Sequence, residues 1–417
     1  MQPLKFLHMA DVHLDTGFYS RDEDTGRMLR DALRQAFRCA VDLAIEQRVD
    51  CILIAGDLFD NERLSFETEC FLIEQLKRLD SVGIPVYYAT GNHDPGHQSN
   101  IARIKWPGNV VVFADGQVHT QLLMDPGGQP KAKIIACGHR TSSEGSNLAA
   151  LFPRAQGDAI HIGMLHTMVV GLSSTGSHGR YAPCSLEDLK ALGYDYWALG
   201  HVHKRQVLDE EGRIQYPGNL QGRDPGETGE KGCLLVEIHK GASPRIDFYP
   251  LSSIRWHWLV LDDLERITAL DELLDHMAEK CLASLGEQTA HSSMGMGGSM
   301  LRIQLTGPSP VYHKLNSEDV HELERQLSSK IPALGIEVIW EDVCPPIDID
   351  DYRDGMHVLA EVLKWIEKAK VDDELLKQLI PAKLAAGRLE PREAMDYIRE
   401  LLEGLDREAV IRMVDGG

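Results

Sequence analysis

Leu4-Lys5-Phe6-Leu7-His8-Met9-Ala10-Asp11-Val12-His13 is an apolar run that ends in a carboxylate and an imidazole two residues apart. Residues i and i+2 of a strand point the same way. Asp11 and His13 are therefore expected to face one ion from the end of a buried strand. The same device recurs along the chain. Cys51 to Ala55 leads into Gly56-Asp57-Leu58-Phe59-Asp60, and Val86 to Ala89 into Gly91-Asn92-His93-Asp94. Ile160 to Leu165 leads into His166, and Tyr196 to Leu199 into Gly200-His201-Val202-His203. Helical spacing fills the first gaps, with Leu29, Leu33, Phe37 and Val41 in one segment and Phe71, Leu72, Leu76 and Leu79 in the next. This βαβαβ rhythm predicts an α/β fold with a mostly parallel sheet and helices on its faces. The carboxyl edge of such a sheet is where sites form.

After Asp94 the pattern is more purely β. Val110 to Phe113, Ile134 to Cys137, Lys231 to Ile238 and Arg245 to Tyr249 join the runs already named. They predict a second sheet stacked on the first. A boundary is expected near 250–255, with a smaller α/β unit from 255 to 343. Its stretch His291 to Ser299, rich in Gly, Ser and Met, reads as a loop. The section 346–417 reads as amphipathic helices from Met356 onward, too short for a core of its own and suited to docking on the rest of the chain or on a partner.

The chain has 417 residues and a formal net charge of −21. That length suits two or three domains. The charge is the opposite of a basic face built to grip DNA alone. The substrate is then not a long nucleic acid, or a basic patch is local, or a partner supplies the grip. The eight cysteines show no CxxC pair, so neither a zinc knuckle nor a disulfide framework is expected. No apolar run reaches membrane-spanning length and the N-terminus has no signal-like apolar stretch, which gives a cytoplasmic location by default.

Singly, an Asp after a strand is usually a turn or a helix cap. Jointly and in order, the strand-end residues supply oxygen and imidazole donors for two adjacent cations, an arrangement that breaks phosphate esters in line. Asp57 can bridge the ions. Asn92 offers a neutral oxygen, and His166, His201 and His203 offer nitrogen donors suited to transition metals. His93 points away from Asn92 and is the candidate general acid or stabiliser of a leaving oxygen. Asp94 either fixes the ring of His93 or caps the turn. Asp60 either orients a ligand from behind or caps the next helix. Arg223, between Gly222 and a further Gly-rich loop, either meets a phosphate or lies solvated on a hairpin.

The order DxH, GDxxD, GNHD, H, GHxH resembles the calcineurin-like metallophosphoesterases across residues 4–250. Phe6 to Asp15, Ala55 to Asp60 and Tyr194 to His203 are similar to the DNA-repair exonuclease branch, that of SbcD. Tyr216 to Arg223 with Glu227 to Gly232 looks closest to its YhaO-like members. The resemblance implies a four-layer αββα sandwich over 1–250, a small α/β capping domain over 255–343 and a C-terminal helical region over 346–417. It implies two divalent metal ions, most often Mn2+, the first held by Asp11, His13, Asp57 and His203 and the second by Asp57, Asn92, His166 and His201. It implies a metal-activated water as nucleophile, DNA as substrate, and an SbcC-like, SMC-type coiled-coil ATPase gripped by the helical tail. A homodimer is a further assembly it allows. A phosphatase or cyclic-nucleotide phosphodiesterase of the same superfamily, and a non-catalytic scaffold subunit of an ATPase complex, are the competing expectations.

Overall fold

The computed structural model describes residues 3–60, 64–97, 101, 103–125, 127–171, 181–289, 298–355, 357–381 and 391–414. Compactness divides the chain into two units, Met1–His257 with Ser293–Leu301 and Ala333–Gly335, and Trp258–Ser292 with Arg302–Pro332 and Ile336–Gly417.

The first unit is built on two six-stranded sheets. The strands β1 (Leu4–Met9), β2 (Cys51–Ala55), β3 (Val86–Ala89) and β4 (Val110–Phe113) run parallel, with Phe6 opposite Cys51 and Ile52 opposite Val86. Helix α1 (Glu23–Gln47) joins β1 to β2, and α2 (Phe66–Ser81) joins β2 to β3. Each helix starts on a side-chain cap: Asp22 accepts from the Thr25 amide at 2.9 Å and Ser65 from the Thr68 amide at 3.2 Å. The second sheet orders β5 (His119–Met124), β6 (Pro130–Cys137), β7 (Ile160–His166), β8 (Tyr196–Gly200), β10 (Ile214–Tyr216) and β9 (Gln206–Val207).

The sequence reading assigned every late strand to the second sheet, and the structure corrects this. β4 extends the parallel run beside β3. The strands β11 (Gly232–Ile238) and β12 (Arg245–Pro250) return to the first sheet, β11 antiparallel to β1 with Phe6 opposite Val236. Without β11, β1 would be an edge strand with unpaired amides and carbonyls.

The sheets pack face to face through Phe6, Leu53, Tyr87, Ile134, Ile162, Met164 and Tyr196. The outer face of the first sheet is covered by α1 and α2 through Phe37, Val41, Leu72 and Leu76. The outer face of the second is covered by Leu148 and Phe152 and by the short helix α3 (Leu186–Lys190) through Leu189. The layer sequence is helix, sheet, sheet, helix. The carboxyl ends of β1, β2, β3, β7 and β8 lead into the residues singled out above.

A three-stranded sheet orders β13 (Ile254–Leu261), β14 (Gly298–Pro308) and β15 (Gly335–Cys344). The second unit carries helices α4 (Leu270–Thr289) and α5 (Ser317–Lys330). Its last helices, α6 (Val358–Val371), α7 (Asp373–Leu379), α8 (Pro391–Leu402) and α9 (Leu405–Val414), bury Leu363, Leu376, Ile398, Leu402 and Val410 in small clusters of their own. Residues 291–297 of the Gly/Ser/Met-rich stretch, and Met356, lie outside the described residues. Among the described residues, no helix is long and apolar enough to cross a membrane.

Candidate metal centre

Asp11 and His13 do not sit on a strand. β1 ends at Met9, and both residues adopt left-handed backbone at φ 51° and 50°. The alternation expected of a strand is replaced by loop pairing. The Asp11 amide donates to the Gly56 carbonyl at 3.1 Å and the His13 amide to the Asp57 carbonyl at 3.0 Å. Asp57 (φ 51°) and His201 (φ 104°) are also at positive φ. Such non-glycine residues cost about 1–3 kcal/mol each and persist where the surroundings over-determine them. Burial of each large side chain in the sandwich core contributes about 1.5–3 kcal/mol, enough to carry several such positions.

Among the described residues, donor atoms converge here in three groups, each with its atoms within 4.8 Å of one another: Asp11, His13 and His203; His13, Asp57 and His93; Asp11, Asp57 and His166. Asp57 Oδ2 lies 3.8 Å from His13 Nε2 and 3.3 Å from His166 Nε2, between the two histidines. Asn92 Oδ1 is 3.0 Å from His166 Nε2. The His201 amide donates to Asp11 at 3.1 Å, and its ring centre is 5.3 Å from that of His166. Glycines make this closeness feasible. A Cβ on Gly91 would stand 2.2 Å from Asp57 Oδ1, and one on Gly56 2.2 Å from His166 Nδ1.

The inward nitrogens are set from behind. His13 Nδ1 meets Asp60 at 3.0 Å, His166 Nδ1 meets the Ala55 carbonyl at 2.9 Å, and His203 Nδ1 meets Glu227. Each partner fixes the tautomer with the proton on Nδ1 and leaves Nε2 to face the cluster.

Divalent cations fit this donor set. Full burial ordinarily pushes a histidine down, yet Asp57 and Asp11 push His166 up to about 9. Burial would raise Asp57, but His166 and His13 hold it well below the usual carboxylate range. Burial does raise Asp11, against the pull of His203 and His166. His13, by contrast, is pushed down to about 3 by burial and the nearby Arg223. The cluster thus calls for positive charge, which carboxylate and imidazole donors accept from metal ions.

Asp60 carries two expectations. It does not cap the next helix, which starts on Ser65. Its Oδ1 meets His13 Nδ1 at 3.0 Å, His93 Nδ1 at 2.9 Å and Arg223 Nη1 at 3.1 Å. Burial works against its ionisation, but these partners hold its carboxyl far below the usual range. For His93, burial lowers and Asp60 raises, and the net direction is up.

Asp94, read either as fixing the ring of His93 or as capping the turn, makes the contacts of a turn tie. Its carboxylate accepts from the Gly91 amide at 2.6 Å, the Leu58 amide at 2.5 Å, the Phe59 amide at 3.2 Å and the Tyr88 hydroxyl. It ties the β2 and β3 loops together, and the ring of His93 is held by Asp60 instead. Burial and then Asp57 push Asp94 up to about 6.

Sequence reasoning gave no role to Glu227 or His139. Glu227 takes His203 Nδ1 on one oxygen and, on the other, Asn219 Nδ2 at 2.7 Å and the Arg223 amide at 2.6 Å. Burial opposes its charge, yet His203 and Arg223 hold its carboxyl far below normal. His139 Nε2 meets the His166 carbonyl at 2.6 Å. Each acts through a histidine distant in sequence, and no local spacing signals it.

Comparison with known proteins agrees with this construction. The model of the calcineurin-like phosphoesterases matches residues 4–205. The chain is 36% identical over 284 residues to an uncharacterized metallophosphoesterase YhaO of Bacillus subtilis, covering 66% of this chain and 68% of that protein. It is 29% identical over 256 residues to the DNA double-strand break repair protein Mre11 of Aeropyrum pernix, 58% of this chain and 60% of the other. It is 26% identical over 288 residues to SbcD, a component of the nuclease SbcCD, of Rhodobacter capsulatus, 58% of this chain and 68% of the other. Two stacked sheets with such donors at their edges define a metal-dependent phosphoesterase. More narrowly, the chain belongs to the calcineurin-like phosphoesterase family.

Proposed function

We propose that this phosphoesterase hydrolyses phosphodiesters of DNA as a Mn2+-dependent exonuclease or endonuclease in DNA repair. The observation that carries the reading is the placement of His93. Its side chain is 42% exposed while its ring centre lies 4.9 Å from that of buried His13. A group from solvent can therefore reach His93, whose ring stands against the donor cluster.

Asp11, His13, Asp57 and His203 would hold one ion and Asp57, Asn92, His166 and His201 the other, and the pair would activate water and neutralise charge on the phosphate. Asp57 Oδ1 accepts the His93 amide at 2.9 Å, which fixes His93 beside the carboxylate that would be common to both ions. Asp60 orients the His93 ring so that Nε2 is the atom that meets the leaving oxygen and gives or shares a proton. Arg223, anchored on Asp60, adds a guanidinium for a non-reacting phosphate oxygen.

The names of the nuclease and break-repair relatives support DNA over a small ester. The net charge of −21 supports a complex in which an SbcC-like coiled-coil ATPase supplies much of the grip on the duplex. Its docking region would be the helices of 346–417, where Trp365, Val371, Tyr397 and Leu401 are exposed. In this reading 1–250 is the nuclease domain and 255–343 a capping domain, and the protein works in the cytoplasm, alone or as a homodimer.

End-labelled single- and double-stranded DNA, nucleotides and p-nitrophenyl phosphate, each incubated with Mn2+ and the purified protein with and without its ATPase, test the substrate class. DNA products are expected. Turnover of nucleotides or the monoester with intact DNA in every lane contradicts the proposal.

A further inference from the structure

The groups behind three of the histidines set two sides of the centre apart. His13 and His203 turn their Nδ1 atoms to carboxylates, Asp60 at 3.0 Å and Glu227. His166 turns its Nδ1 to a neutral carbonyl, that of Ala55 at 2.9 Å. A carboxylate makes the imidazole a stronger donor and places a further negative charge a ring's width from the cation. Asp57 shares donor groups with His13 and with His166, and Asp11 shares groups with His13 and His203 and with His166, so both carboxylates lie between the two sides. Beside His166 the added donor is the neutral Asn92, at 3.0 Å. Asp60 and Glu227 thus add negative charge behind His13 and His203 where Ala55 adds none behind His166.

Glu227 carries the larger share. Its side chain is 11% exposed, and one oxygen is committed to Asn219 and the Arg223 amide, which aims the other at His203. Asp60 divides its charge with the guanidinium of Arg223 at 3.1 Å.

We propose that Glu227 and Asp60 are positioning residues that make the Asp11–His13–His203 position the tighter of two divalent-cation positions, filled before the position at His166 and Asn92. This rests on the two-ion reading of the site, and its test separates the two claims.

The test is calorimetric titration of the full chain, stripped with chelator and confirmed folded by circular dichroism, with Mn2+ alone. Wild type is expected to show two binding events at least about tenfold apart. Glu227→Gln cannot satisfy both sides of its hydrogen-bond set without its charge. It should weaken the tighter event by about 10–100-fold and leave the weaker one unchanged. Asp60→Asn keeps an acceptor oxygen toward His13, His93 and Arg223 and removes only charge. It should shift the same event in the same direction by less. Two equal events in wild type overturn the inference. So does an equal weakening of both events in Glu227→Gln, or an unchanged tighter event in Asp60→Asn. Each of those results leaves the two-ion reading standing, whereas no Mn2+ binding overturns both.

Discussion

The Nε2 atoms of His13 and His203 face one another at 3.2 Å, with the ring planes 65° apart. Asp60 and Glu227 accept from the two Nδ1 atoms, so each Nε2 that carries no proton turns a lone pair toward the other. That approach is repulsive unless a proton or a cation lies between the rings. Asp60 and Glu227 hold the rings in this pose from behind. Convergence of donors that repel one another is the mark of a cation site.

His13→Ala removes one of those donors. Metal content by mass spectrometry after dialysis against Mn2+ is expected to fall by one ion per chain. Turnover of bis-p-nitrophenyl phosphate should fall by more than the roughly 10–100-fold that loss of a supporting partner costs. Unchanged metal content would remove His13 from the ligand set.

His93→Ala removes a proton donor and leaves the ion ligands in place. Steady-state kinetics should show kcat down by about 10²–10⁴-fold with KM and bound metal unchanged. A change confined to KM would make His93 a binding residue only.

Asp94→Ala tests its structural role. The buried amides of Leu58 and Gly91 and the Tyr88 hydroxyl lose their acceptor. At about 1–3 kcal/mol per buried orphan, urea denaturation should show a loss of ~3 kcal/mol or more. A stable protein with low activity would return Asp94 to a catalytic role.

Gly91→Ala should disable the centre within a folded protein. The added methyl would stand 2.2 Å from Asp57 Oδ1 and 2.8 Å from the Asp57 amide nitrogen. Calorimetry is expected to show weakened Mn2+ binding while circular dichroism stays native. Wild-type binding would mean that the Asp57 loop yields freely.

Acid sensitivity has a source outside the centre. His8 is wholly buried, with Nδ1 2.9 Å from the Tyr196 hydroxyl and Nε2 3.1 Å from the Leu199 carbonyl. Burial pushes it from 6.5 down to about 3. The unfolded chain therefore takes up the proton first. The contribution of His8 is fully present above about pH 6.5 and is lost as pH falls toward 3, by up to about 1.4 kcal/mol per pH unit. His8→Gln keeps one donor and one acceptor without titrating, so its urea midpoint should fall less steeply with acid than that of wild type. Equal slopes would acquit His8.

The sequence made the strand ends legible because each is an apolar run broken by a polar residue, and β1, β2, β3, β7 and β8 all end there. It misassigned β11 and β12, because a buried strand reads alike in either sheet. It also placed Asp11 and His13 on strand geometry, whereas their left-handed backbone follows from hydrogen bonds to Gly56 and Asp57. The supporting carboxylates were least legible. Asp60 lies 47 residues from His13, and Glu227 lies 24 from His203, and only folding brings either to its ring.

The most direct test sets wild type and Asp57→Asn side by side on end-labelled duplex DNA through a Mn2+ titration, with bound metal measured in the same samples. Wild type should yield products that rise with bound Mn2+, and Asp57→Asn should yield none. Equal products from both proteins, or intact DNA from wild type carrying two Mn2+ ions with its ATPase present, would contradict metal-dependent phosphodiester hydrolysis at this centre.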